Sequence, residues 1–213
     1  MTEFDRPPPG EELRGEAPVV RPRQAATVVL LRGGDQALEV LLVQRNPTLR
    51  FMGGAWVFPG GAVGAGEGAD GHRAAALREL EEEAAVRLAG PGQLVPFSRW
   101  ITPAEVTVRF DTHFFVALCP EGAEPRPDGH ECVQARWFTP RAALDAGAGD
   151  EILLVFPTIK HLEQLDGFAS AHAALRWAAA HTVVPVQPRV VLGGETARVL
   201  LPGEPGYEEA APA

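Results

Sequence analysis

The sequence predicts an α/β domain closed by helices in its last third. Three observations point that way. β-Branched runs recur through the first 140 residues, as strands require. One long alanine- and leucine-rich run with helical spacing, "HRAAALRELEEEAAVRLAG" (72–90), interrupts them. Beyond residue 155 the pattern turns helical twice more.

In chain order, residues 1–23 are rich in Pro, Glu and Arg and are expected to form a flexible arm. "AATVVLL" (25–31) and "ALEVLLVQR" (37–45) read as a hairpin across "RGGDQ". "WVFPGG" (56–61) reads as a short strand ending in a turn, and "GGAVGAGEGADG" (60–71) as a loop with Asp70 as helix N-cap. The helix that follows carries Ala76, Leu77, Leu80, Ala84 and Leu88 at helical spacing and should run on to Gly90-Pro91. "RFDTHFFVALC" (109–119) and "ARWFTP" (135–140) read as strands, "RAALDAG" (141–147) as a short helix. "PTIKHLEQLDG" and "ASAHAALRWAAAH" read as two helices, and "TVVPVQPRVVL" as extended chain. The expected organisation is one domain over 24–201, with a mobile tail over 202–213.

Composition narrows the function. With 213 residues and 46% hydrophobic content the chain can bury a real core. A net charge of −9 argues against nucleic acid or an acidic membrane surface as partner. Two separated cysteines, Cys119 and Cys132, suggest a reducing compartment with neither disulfides nor a zinc site. The N-terminus lacks a signal-peptide pattern, and no apolar run approaches the ~20 residues of a membrane span. The expectation is a cytoplasmic protein.

The acidic helix carries the chemistry. "RELEEE" (78–83) places four glutamates in five positions of the helix's later half, where the dipole opposes them. Glu79, Glu82 and Glu83 stand at i, i+3 and i+4 and so project from one patch. Oxygen ligands at that spacing suit a hard divalent cation, Mg²⁺ or Mn²⁺. Arg78, four residues before Glu82, is placed to hold that carboxylate, while Glu81 points away from the trio. A solvated charged face would show the same composition. The six histidines (72, 113, 130, 161, 172 and 181) show no metal spacing. His113 reads as a sheet residue, Trp56 and Trp100 as core.

The arrangement resembles the box of the Nudix hydrolases, Gly-x5-Glu-x7-Arg-Glu-U-x-Glu-Glu-x-Gly-U, with U a bulky aliphatic. Arg78, Glu79, Leu80, Glu82, Glu83 and Val86 match its second half, and Ala85 stands at its glycine. Two registers fit the first half: Gly64-x5-Asp70 keeps the spacing, whereas Gly61-x5-Glu67 keeps the residue types with three residues added. The second keeps "FPGG" as anchor and is preferred.

The resemblance implies an α/β/α sandwich with a mixed sheet, the acidic helix on one face and C-terminal helices. It implies hydrolysis of a phosphoanhydride, with Glu79, Glu82 and Glu83 as metal ligands and Glu82, Glu83 and Arg78 as the catalytic group. Cations would supply the positive field that a −9 protein lacks for a polyanion. Gly60 and Gly61 would let backbone amides approach the diphosphate, or serve only a tight turn. Glu82, Glu83 and the loop acid Glu131 are candidates for general base.

"LLVQRNPTLRFMGGAWVFPGG" (41–61) is similar to the motif of the coenzyme A diphosphatases within that superfamily. Leu41, Leu42, Arg45, Arg50, Gly54 and Phe58 to Gly61 fall in register; Val43 and Asn46 depart from it. That resemblance implies CoA or an acyl-CoA as substrate, with Arg45 and Arg50 on its phosphates. Another nucleotide substrate (ADP-ribose, NADH or a dinucleoside polyphosphate) and a non-catalytic nucleotide sensor are the alternatives. A homodimer is compatible with the sequence.

Overall fold

The computed structural model describes residues 3–4, 12, 13, 15, 17–193 and 196–210. Its strands are β1 (Glu3–Phe4), β2 (Arg23–Arg32), β3 (Glu39–Arg45), β4 (Ala55–Val57), β5 (Gly60–Ala62), β6 (Val95–Ile101), β7 (Phe110–Leu118), β8 (Cys132–Phe138), β9 (Leu153–Leu154), β10 (Pro185–Val186), β11 (Arg189–Gly193) and β12 (Thr196–Leu200). Its α-helices are α1 (Gly71–Ala84), α2 (Pro140–Ala148), α3 (Phe156–Asp166) and α4 (Ala171–Ala180).

Nine strands form one mixed sheet, ordered β10-β6-β7-β2-β3-β4-β9, with β5 also on β2 and β8 also on β3. β2 is central. It runs parallel to β7 over nine residue pairs, from Arg23 beside Phe110 to Leu31 beside Leu118. Its sequence is apolar on both faces because both are covered. Ala26, Val28 and Leu30 face Ala76, Leu80 and Ala84 of α1. Val29 and Leu31 face Ala143 of α2, Leu162 and Leu165 of α3, and Ala174 of α4. The result is the expected α/β/α sandwich.

One departure from a continuous sheet positions the site. β2 and β3 pair only at their hairpin end, Leu31 with Val40 and Arg32 with Glu39. They then diverge. β5 takes up the freed edge of β2, with Thr27 beside Gly60 and Ala26 beside Gly61, while β4 takes up that of β3. Phe58-Pro59 bridges the gap, and the Pro59 carbonyl accepts from Val28 N at 2.8 Å.

Helix α1 corrects the expected C-terminus. It ends at Ala84, not near Gly90, because Ala85 turns left-handed at φ 55° and ψ 27° and its amide returns to Glu81 O and Leu80 O. Leu88 is therefore not a helix residue, although it is buried with the same core. Asp70 holds the N-cap position without a side-chain cap hydrogen bond; its carboxylate lies 3.7 Å from Arg73.

The expected arm over 1–23 lies largely outside the described residues. Where described, β1 pairs with β12, Leu13 bridges to Val106, and Arg23 already belongs to β2. β1, β12 and β11 form a second, three-stranded sheet. Of the tail expected to be mobile, residues 202–210 form turns: the Tyr207 hydroxyl donates to Gln187 O at 2.7 Å and the Arg189 guanidinium lies 4.0 Å from the Tyr207 ring centre. Among the described residues no helix is long and apolar enough to cross a membrane.

Candidate active site

The divergence of β2 and β3 brings the turn before β5 against the acidic end of α1. Gly60 N donates to Glu83 Oε2 at 2.9 Å, so this amide is committed to a carboxylate rather than free for a phosphate. Close approach requires glycine at position 60 for the backbone and at position 61 to leave room for a side-chain carboxylate. A Cβ on Gly60 would strike Thr27 Oγ1 and stand 2.6 Å from Ala26 O, whereas one on Gly61 would overlap the Glu79 carboxylate.

Arg78 organises the acids. Its Nε donates to Glu67 Oε1 at 2.8 Å, its Nη1 to Glu79 Oε1 at 2.7 Å and Glu82 Oε2 at 2.9 Å, and its Nη2 to Ala62 O at 3.0 Å. Glu67 in turn accepts from Gly64 N at 2.6 Å. These contacts make Glu67, not Asp70, the acid that pairs with the box arginine. Burial works against the Arg78 charge, but its bonds to Glu67, Glu79 and Glu82 outweigh that and raise its pKa further. Glu81 is turned outward and pairs with Arg87, as its position on the helix led us to expect.

Glu83 has a different environment. It is 3% exposed, and Oε1 is buried without a hydrogen bond. Arg45 Nη1, at 3.9 Å from Oε1, is too distant to be one. Burial, reinforced by the negative charges of Glu79 and Glu131, pushes the Glu83 pKa up to about 8 against the pull of Gly60 N and Arg45. Burial also raises Glu79. Desolvated carboxylates of this kind favour a cation, and an orphaned buried oxygen is a donor for one. The donor set fits a divalent ion. As they stand, Glu79 and Glu82 turn to Arg78 and Glu83 to Gly60, and among the described residues no three acidic, His or Cys side chains are gathered as a ligand cluster.

Arg45 joins the loop before β8 to this site. Its Nη1 donates to Glu131 Oε1 at 3.0 Å and its Nε to Phe51 O at 3.3 Å. Asp128 shapes the loop by accepting from Glu131 N and Cys132 N. Glu131 thus stands beside Glu83 through a shared arginine. Arg50 is exposed and is absent from the lining of the adjoining cleft.

That cleft, about 280 Å³, opens from Gly60, Gly61, Arg45 and Glu131 onto an apolar wall that includes Phe58, Phe110 and Phe114. The sequence did not reveal it, since its walls come from five separate segments. Nor did the sequence reveal His161. This residue is 1% exposed, with Nδ1 2.6 Å from Pro157 O and Nε2 2.6 Å from Ser98 Oγ. Pro157 O can only accept, so Nδ1 carries the proton and Nε2 accepts from the serine. His161 packs on Phe58 and Phe114, both in the cleft wall.

Comparison with known proteins agrees with this geometry. The model of the NUDIX domain matches residues 21–156. The Nudix hydrolase NudL of Klebsiella aerogenes is 36% identical over 49% of this chain and 81% of its own. The acyl-coenzyme A diphosphatase NUDT19 of Homo sapiens is 30% identical over 53% of this chain but only 32% of its own. A solved NUDIX hydrolase from Alicyclobacillus acidocaldarius superimposes with TM-score 0.67 and 28% identity, over 74% of this chain and 96% of that one. Hydrolases of this kind generally use divalent metal ions and take nucleoside-diphosphate substrates, and the chain, with its domain, fold and acidic helix in agreement, belongs to the NUDIX family as a hydrolase of pyrophosphate bonds.

Proposed function

We propose that this chain is a metal-dependent diphosphatase of CoA or acyl-CoA, yielding 3′-phosphoadenosine 5′-phosphate and (acyl-)phosphopantetheine. Hydrolysis rests on one observation above others: the buried Glu83 with an unpartnered oxygen, beside a second desolvated acid, Glu79. In this reading Glu79, Glu82 and Glu83 hold Mg²⁺ or Mn²⁺. Once bound, the cation neutralises the diphosphate and activates the attacking water. Arg78 keeps Glu79 and Glu82 on one side of the site, Gly60 N orients Glu83, and Arg45 holds Glu131 beside them. Glu82 and Glu131 are the exposed acids positioned to take a proton from water.

The CoA assignment is supported by the register of Arg45, Arg50, Gly54 and Phe58 to Gly61, and by the partial similarity to an acyl-CoA diphosphatase. A different nucleoside diphosphate is the second reading, favoured by the exposed position of Arg50 outside the cleft lining. The test is hydrolysis of CoA, acetyl-CoA, ADP-ribose, NADH and diadenosine tetraphosphate with Mg²⁺ or Mn²⁺, with Glu82→Gln, Glu131→Gln and Arg50→Gln in parallel. Preferential cleavage of the CoA compounds, lost in Glu82→Gln and selectively reduced in Arg50→Gln, supports the assignment. Preference for another member removes CoA and keeps the acidic helix. Tight nucleotide binding without turnover of any would make the chain a sensor.

A further inference from the structure

The cleft has a polar centre that the reacting diphosphate does not explain. Its floor is β2 beside β7, where the parallel register aligns Arg23 with Phe110, Ala25 with Thr112 and Thr27 with Phe114. Above the floor lies the first turn of α3: Val155, Pro157 and Thr158 line the cleft. This eleven-residue helix has no side-chain cap at its N-terminus and no acid in its first turn. No side-chain charge offsets its positive end, and the Thr158 amide has no acceptor within the helix.

Thr158 adds a second, independent sign. It is 4% exposed as a residue and lines the cleft, and no side chain or backbone group among the described residues hydrogen-bonds its hydroxyl, which is open to the cleft. Thr112, on the floor, is half-buried and lines the same cleft. A hydroxyl whose only opening is the cleft takes its hydrogen-bond partner from what the cleft holds, and a phosphate oxygen is a strong acceptor for it. The ligand's charge follows from the helix end and from Arg23, whose guanidinium lies 5.7 Å from the Phe110 ring centre, one step along the floor from Thr112.

We propose that the first turn of α3, with Thr158 and Thr112, binds a phosphate monoester of the substrate that is not cleaved. Thr112 is two strands and two residues from Gly60, which marks the Glu83 end of the cleft, on the order of 10 Å. That is too far for the neighbouring phosphorus of the same anhydride and within reach of a phosphate across a ribose. The assignment rests on the CoA reading, since CoA carries a 3′-phosphate beside its diphosphate.

The experiment is calorimetric titration, without metal, of adenosine 5′-phosphate and 3′-phosphoadenosine 5′-phosphate into wild type, Thr158→Val and Thr158→Ser. Thermal midpoints establish that each variant is folded. Wild type should prefer the bisphosphate at least tenfold, the preference should collapse about tenfold in Thr158→Val, and Thr158→Ser should retain it. No preference in wild type, or a preference that survives Thr158→Val, overturns the subsite. CoA hydrolysis by the same wild-type protein separates the two ideas. Hydrolysis without the preference removes the subsite and spares the CoA reading; the preference without hydrolysis does the reverse.

Discussion

Replacing Glu83 by Gln should stabilise the metal-free protein at neutral and alkaline pH while abolishing hydrolysis. Glu83 is desolvated beside two other acids, and its pKa rises from 4.5 to about 8. The sign follows from proton linkage. Between those values the folded chain holds a proton that the unfolded chain has released, so stability falls as pH rises through the window. A shift of that size corresponds to about 5 kcal/mol at full ionisation, an upper figure because the Glu79 and Glu131 charges are coupled to it. At pH 7 roughly 3 kcal/mol of that would already be lost. Glutamine is uncharged at every pH, keeps the shape, and can still accept from Gly60 N.

The assay is urea unfolding of wild type and Glu83→Gln in chelator at half-unit steps from pH 5 to pH 9. The difference between the two curves is the readout, because His161 titrates in part of the same range with opposite slope. That difference should grow by about 3 kcal/mol or more toward pH 8.5, and saturating Mn²⁺ should raise the stability of wild type but not of the variant. A flat difference curve would refute the claim that Glu83 is a buried acid held at a cost to the fold.

The neighbouring glycines should separate fold from function: Gly60→Ala meets backbone and should destabilise by about 1–3 kcal/mol, whereas Gly61→Ala meets only the Glu79 carboxylate and should stay folded while kcat drops, as denaturation midpoints and turnover together would reveal. Ala85→Gly should raise stability by about 0.5–1 kcal/mol, since glycine adopts the observed left-handed C-cap without a Cβ clash; a loss measured by urea titration would contradict that geometry. Burial depresses His161 from 6.5 to about 4, so its contribution is intact above pH 6.5 and is lost as pH falls toward 4. His161→Gln should therefore flatten the acid limb of the pH–stability curve by up to about 3 kcal/mol, at the expense of some packing.

The elements that could be read in the sequence are those whose signal is local. β2, β3 and α1 announce themselves because periodicity and β-branching report which faces are buried. Helical spacing also places Glu79 and Glu82 beside Arg78, which both carboxylates meet, whereas the turn of Glu83 toward Gly60 N could not be read from spacing. Glu67 was preferred over Asp70 on sequence register, and Arg78 selects it by a 2.8 Å hydrogen bond. Contacts that close over long separations were not legible. The Arg45–Glu131 pair spans 86 residues and Ser98–His161 spans 63. The end of α1 was misplaced because alanine gives no warning of a left-handed turn; only the family pattern, with glycine at that position, carried the signal.

The splayed strands explain why an acid with a pKa near 8 is tolerated here at all. Where β2 and β3 part, the sheet lacks a direct ladder, and β4 and β5 supply the missing partners. The Gly60 amide is directed not into a strand but at Glu83. That single hydrogen bond satisfies one carboxylate oxygen and fixes the other, Oε1, in a buried position with no hydrogen-bond partner. An apolar residue at position 83 would pack more favourably but would leave the Gly60 amide unsatisfied. The strain is therefore shared between helix and turn, and a bound cation would relieve both. On this reasoning Gly60→Ala and Glu83→Gln should be non-additive in stability, because each alters the same hydrogen bond. Additive effects in a double-mutant cycle would mean that the turn and the acidic helix are independent features.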